Sequence, residues 1–174
     1  MELWRLNKNN SKKVMKNAPI PKGFLLESPA HFAALGFGTG LSRFAPGTVG
    51  TIVGLPLFLL IRNLDLIVQL ALLAGLFVLG CHICDVAGKA LGVADHGGIV
   101  WDEIVAYALV LVTVPQHWGW WLAAFVVFRF FDIIKPAPID WLDKRFKNGF
   151  GVMVDDLMAA AYAIGVLSVI EIMI

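Results

Sequence analysis

Residues 66–84 read LIVQLALLAGLFVLGCHIC, a run without a single Asp, Glu, Lys or Arg. Crossing the hydrocarbon core of a bilayer takes roughly 20 apolar residues in a helix. This run meets that length, and so does the closing stretch 156–174, DLMAAAYAIGVLSVIEIMI. Three shorter apolar segments lie before and between them: 49–61 (VGTIVGLPLFLLI), 103–114 (EIVAYALVLVTV) and 118–131 (WGWWLAAFVVFRFF). The expected fold is all-α, a multi-helix integral membrane bundle. Its shorter segments recruit flanking residues, thin the bilayer, or form re-entrant helices.

The whole-chain composition agrees. Hydrophobic residues make up 59% of the 174, and charged residues only 16%. Soluble domains carry about 45–50% and about 25%. That apolar excess is more than one small core uses, which makes lipid the expected solvent. A net charge of +1 gives no sign of a nucleic-acid partner. No cleavable signal peptide is evident, because a long polar segment precedes the first apolar run. Cys81 and Cys84 lie close together inside an apolar run, so no disulfide framework is expected.

The connections set the topology. Residues 62–65 (RNLD) and 115–117 (PQH) are short turns, which pair the first two and the next two segments as hairpins. Residues 85–102 and 132–155 are longer and charged. The basic arm 1–29 carries Arg5, Lys8, Lys12, Lys13, Lys16 and Lys22 and reads as a flexible cytoplasmic segment ahead of a domain spanning 30–174. Of the 14 Lys and Arg, all but Arg62 fall on the side of this arm and the long loops. The positive-inside rule puts that side in the cytoplasm.

The acidic residues gather there too. Asp85 ends the second segment. Asp102 and Glu103 begin the third, Asp132 ends the fourth, and Asp155 and Asp156 begin the fifth. A carboxylate in hydrocarbon costs several kcal/mol unless it is paired or wetted. A cluster of like charges is relieved by a divalent cation, and all-oxygen ligands select magnesium, calcium or manganese over zinc. Magnesium commonly bridges a few carboxylates to a substrate phosphate. The competing reading is helix capping: Asp suits the first turn of a helix. Adjacent pairs such as Asp102–Glu103 and Asp155–Asp156 are more than capping requires. Asp140 and Asp143, among Lys144, Arg145 and Lys147, read as a solvated interfacial helix.

A phosphate ligand needs donors. Lys135 follows Asp132 by one helical turn, with Pro136 stopping the helix; it reaches either a phosphate or Asp132. Arg129 pairs with a carboxylate or snorkels to headgroups. Arg43, in SRFAPGTVG, offers a bidentate contact, and Gly47 and Thr48 open a helix whose free N–H groups suit an anion. Gly36, Gly38 and Gly40 match no phosphate-loop fingerprint, and close packing is the alternative for them. CHIC at 81–84 and the scattered His31, His96 and His117 lack zinc-site spacing. Ser42 has no partners for a catalytic triad.

Three blocks then resemble one family. GFGTGLSRFAPGTVGT, VWDEIVAYALVL and FRFFDIIKPAPIDWLDKRFKNGFGVMVDDLMAAAYA are similar, in order and spacing, to the phosphatidylglycerophosphatase A family from about residue 30 onward. The resemblance implies a magnesium-dependent, multi-pass enzyme of the bacterial inner membrane with its site facing the cytoplasm. Its substrate would be phosphatidylglycerol phosphate, its products phosphatidylglycerol and phosphate. It also implies functional roles for Asp102, Glu103, Asp132, Lys135, Asp155 and Asp156, with Asp85 less securely aligned. The family often has a Gly shortly after the DD pair, where this chain has Ala. Rival readings are a small cation-conducting or transport protein, which calls for carboxylates at mid-span, and a non-enzymatic assembly factor. Oligomeric state is not legible.

Overall fold

A computed structural model describes residues 16, 18–137, 139 and 145–174. The expected interfacial helix around Asp140 and Asp143 lies outside the described residues, as does the arm before Lys16. Among the described residues the chain is helical, without strands. A short helix α1 (Pro29–Ala34) is followed by α2 (Pro46–Ile61), α3 (Leu66–Leu91), α4 (Trp101–Thr113), α5 (Trp118–Ile134) and α6 (Gly149–Met173). Two 3-10 turns, Phe24–Leu26 and Gly36–Leu41, flank α1.

Each of the five apolar segments is a helix, and four of them run past their apolar stretch toward the long connections. α3 continues to Leu91, where Gly92 takes φ 74 and closes it in the left-handed conformation that glycine adopts without strain. α5 ends at Lys135 (φ 47), just ahead of Pro136. α6 starts at Asn148, whose side chain accepts from the Gly151 N–H at 3.0 Å. Asp155 and Asp156 therefore sit about two turns inside α6 rather than at its start. The sequence misled here because GFGVMV carries no charge to mark a helix end.

Among the described helices, only α3 and α6 are long and apolar enough to cross a membrane. At 1.5 Å per residue, α2, α4 and α5 reach about 24, 20 and 26 Å, short of the roughly 30 Å hydrocarbon core. α4, the shortest of the five, is the centre of the bundle. It packs against α2, α3, α5 and α6 and buries residues on every face, among them Ile104, Tyr107, Ala108 and Leu111. α2 meets it through Gly47, Gly50 and Gly54. A Cβ at Gly50 would collide with the Val100 side chain, and one at Gly54 would lie 2.7 Å from the Ile104 carbonyl. The small-residue face thus lets the two backbones approach.

The outer surface is apolar. α5 exposes Trp118, Leu122, Val126, Phe130 and Ile133, spaced along one stripe, and α3 and α6 expose Ile67, Val78, Val169 and Ile172. The turn between α2 and α3 is closed by the Gln69 amide, which donates to the carbonyls of Arg62 (3.3 Å) and Leu64 (2.7 Å). At the opposite end, the chain before α1 lies against the connection from α3 to α4. The Gly97 N–H donates to the Lys16 carbonyl at 2.9 Å, His96 Nε2 donates to the Ala18 carbonyl at 2.9 Å, and Lys16 pairs with Asp95.

Candidate active site

The acidic residues from three helices converge at this end. Trp101 begins α4, which puts Asp102 and Glu103 in its first turn, beside the free N–H groups that favour negative charge. The residue in the capping position is Val100, with no side-chain cap, so neither acid is the helix cap. α6 brings Asp155 and Asp156, both buried, from inside its length. α5 brings Arg129 and Asp132 one turn apart and ends on Lys135.

Asp102, Glu103 and Asp156 each offer one carboxylate oxygen to a group in which all three atoms lie within 4.8 Å of one another. Asp102 Oδ1, Glu103 Oε2 and Asp156 Oδ2 are buried and have no hydrogen-bond partner among the described residues. Leaving such oxygens unpaired is costly, and an all-oxygen donor set of this kind suits a hard divalent cation. The residues present therefore fit a magnesium ion.

The cations are tied to the other acids. Arg129 Nη1 lies 2.5 Å from Asp132 Oδ2 and 3.4 Å from both Glu103 Oε1 and Thr51 Oγ1. Lys135 Nζ pairs with Asp155 Oδ2 at 2.7 Å. The left-handed backbone at Lys135 turns the chain out of α5 at this point, a conformation uncommon for a side-chain-bearing residue. All of these groups line one cavity of about 340 Å³, together with Lys16, Asp95, Pro46 and Gly47. Its walls carry six carboxylates (Asp95, Asp102, Glu103, Asp132, Asp155, Asp156) against three cations (Lys16, Arg129, Lys135). The surplus of negative charge is itself a reason for a divalent cation to bind.

Of the residues singled out from sequence, the cavity unites Gly47, Asp102, Glu103, Asp132, Lys135, Asp155 and Asp156. Gly47 is there for space: a Cβ would overlap Glu103 Oε1. Arg43 lines a neighbouring cavity. Thr48 is half-buried and lines neither. Asp85 lies elsewhere, paired with Lys89 at 2.5 Å and accepting from the Gly149 N–H at 3.4 Å beside a separate cavity. Sequence reasoning missed Thr51, which is fully buried, donates to the Gly47 carbonyl at 2.8 Å and steadies Arg129. It also missed Lys16 and Asp95 as walls of the site. Their pairing spans the chain from the arm to the long loop, a contact that no local spacing announces. The glycines at 36–41 form a packing turn, with Gly40 against the Gly98 carbonyl.

Comparison with known proteins points the same way. The sequence model of the Phosphatidylglycerophosphatase A family matches residues 32–171. The chain is 46% identical over 158 residues to phosphatidylglycerophosphatase A of Haemophilus influenzae, covering 90% of this chain and 96% of that one. It is 38% identical over 144 residues to the Escherichia coli protein of the same name, covering 82% and 83%. A Bacteroides thetaiotaomicron protein named provisionally as a phosphatidylinositol-3-phosphatase is 37% identical over 142 residues, covering 77% and 88%. No solved structure matches the chain significantly.

Proposed function

Since the chain belongs to the phosphatidylglycerophosphatase A family, we propose that the acid-lined cavity holds and hydrolyses the terminal phosphate of a lipid substrate. The activity is that of the family, a phosphoric monoester hydrolase acting on phosphatidylglycerol phosphate. Water adds its oxygen to phosphorus, the bond from phosphorus to the glycerol oxygen breaks, and that oxygen leaves with a proton. The products are phosphatidylglycerol and inorganic phosphate.

Asp102, Glu103 and Asp156 are the residues that would hold magnesium. When bound, the ion supplies positive charge and Lewis acidity against the phosphoryl oxygens. Phosphoryl transfer is mostly positioning and charge neutralisation, and the rest of the cavity is suited to both. Lys135 and Arg129 donate to the phosphate oxygens. Asp155 and Asp132 act as positioning residues, each holding one of these cations at the cavity wall. Gly47, at the start of α2, keeps the wall thin and turns a helix N-terminus toward the anion.

The enzyme is proposed to be a multi-pass protein of the bacterial inner membrane. The apolar stripe on α5 and the exposed faces of α3 and α6 would face lipid, since patches this continuous are not left to water. The cluster would then lie at the cytoplasmic interface, where an anionic headgroup reaches it without crossing the bilayer. A cation path draws no support, because α3 before Asp85 and α4 after Glu103 carry no charged residue.

The observation that carries this reading is the meeting of three carboxylates from two helices, each of which also has a buried oxygen that no described residue satisfies. Purified protein should release phosphate from phosphatidylglycerol phosphate with magnesium and stop when a chelator is added. Asp102→Asn and Asp156→Asn should each remove most of that activity while the protein stays folded. Unchanged phosphate release by both variants refutes the assignment.

A further inference from the structure

A second polar cavity of about 430 Å³ adjoins the first, and the two share Lys16, Pro46 and Gly97 as walls. Its other lining includes Gly40, Ser42 and Arg43. Arg43 differs from every cation of the acid cavity. No carboxylate among the described residues pairs with it, whereas Lys16 and Lys135 each pair with one and Arg129 with two. The next residue, Phe44, is 86% exposed, and the nearby Phe37 and Leu41 are exposed as well. Apolar side chains next to an arginine are the pattern of a segment lying at a lipid headgroup boundary.

The substrate class has a feature that the first cavity does not answer. Phosphatidylglycerol phosphate carries two phosphate groups joined by a glycerol: the terminal monoester, which is hydrolysed, and an internal diester, which keeps a negative charge throughout. With the monoester in the acid cavity, the diester falls one glycerol away. An anion there needs its own cation, and the surplus of carboxylates next door makes that need greater. Resting on the function proposed above, we infer that the second cavity is a subsite for the diester phosphate. Arg43 is its ligand, and Lys16 with Ala18, Pro19 and Ile20 forms one wall. The two sites together select a phospholipid bearing a further phosphate over small soluble monoesters.

The two products separate the sites. Phosphatidylglycerol keeps the diester and lacks the monoester, so it occupies only the second cavity. Inorganic phosphate occupies only the first. The test uses the full chain in neutral-detergent micelles, which removes attraction to an anionic surface as a cause. It measures KM for phosphatidylglycerol phosphate and the inhibition constants of phosphatidylglycerol and inorganic phosphate, for wild type, Arg43→Ala and Arg43→Lys. Loss of a bidentate charge-assisted contact should raise KM and the phosphatidylglycerol constant by about tenfold to a hundredfold in Arg43→Ala. Arg43→Lys, which keeps the charge but not the fork, should fall in between. The inorganic phosphate constant should stay within about twofold of wild type on the same scale. If the phosphatidylglycerol constant is unchanged, or if the inorganic phosphate constant rises equally, the subsite is refuted while the enzyme assignment stands. A wild-type chain that releases no phosphate refutes the enzyme assignment, and this inference with it.

Discussion

A single methyl group at Gly47 tests the metal site without removing any ligand. The Cβ of Gly47→Ala would overlap Glu103 Oε1 and come within 3.2 Å of both Glu103 Cδ and Arg129 Nη1. The α2 backbone is fixed by its packing on α4, so the side chain of Glu103 must rotate away. That takes one of the three clustered oxygens out of the group and strains its contact with Arg129. Stability should fall modestly. Replacing Gly by Ala inside a helix gains up to about 1 kcal/mol, and overpacking costs about 1–3 kcal/mol. The net should be a loss of no more than about 3 kcal/mol, the upper end of the overpacking range. The effect on metal affinity is larger. Displacing groups that orient a metal ligand typically weakens binding about 10–100-fold. The assay is phosphate release as a function of magnesium concentration. The half-saturating magnesium should rise by roughly one to two orders of magnitude, with part of the activity restored at high magnesium. A Gly47→Ala enzyme with the wild-type magnesium curve would refute the idea that Glu103, in its present rotamer, belongs to the metal group.

Two further predictions follow from the cations and the arm. Asp155→Asn and Lys135→Met should each lower kcat/KM, and the double variant should fall little below the worse single one. The coupling energy of the pair, held at 2.7 Å, should be about 1–3 kcal/mol; additive effects would show that the two residues act separately. His96 is predicted to make the docking of Ala18 and its neighbours Pro19 and Ile20 pH-sensitive. Burial holds its imidazole below the ordinary 6.5, against opposing contributions from the Ala18 carbonyl and Asp95, and Lys16 lowers it further. With the folded value depressed, the unfolded chain takes up the proton first, so the stabilisation is complete above 6.5 and is lost as pH falls below it. Proteolysis around Ala18 should quicken below that pH and lose its pH dependence in His96→Gln; equal rates from pH 5 to 8 in the wild type would count against it.

The fold was largely legible because its strongest signal is local. Uncharged runs such as 66–84 dictate helices whatever their neighbours, and short turns dictate hairpins. What the sequence hides is which helices face lipid and which face protein, since both surfaces are apolar. α4 reads in sequence as an apolar segment too short for a full span, but nothing local shows that it is the buried centre of the bundle or that the glycines of α2 pack against it.

The site divides along the same line. The acids could be named from their residue types, but grouping them required knowing where α6 begins. A helix starting at Asp156 would make the DD pair a solvated cap, with its oxygens satisfied by backbone N–H groups. Starting at Asn148 instead, α6 spends its capping on that residue and carries Asp155 and Asp156 inward, where those N–H groups are already used. A buried Asp156 beside Asp102 and Glu103 then keeps an oxygen that no described residue satisfies, and a proton shared with a neighbouring carboxylate or a bound cation would satisfy it. The helix register therefore decides what Asp156 can do: begun two turns later, α6 would leave it at a solvated end, whereas its actual register buries it beside Asp102 and Glu103 in a group that could hold a cation.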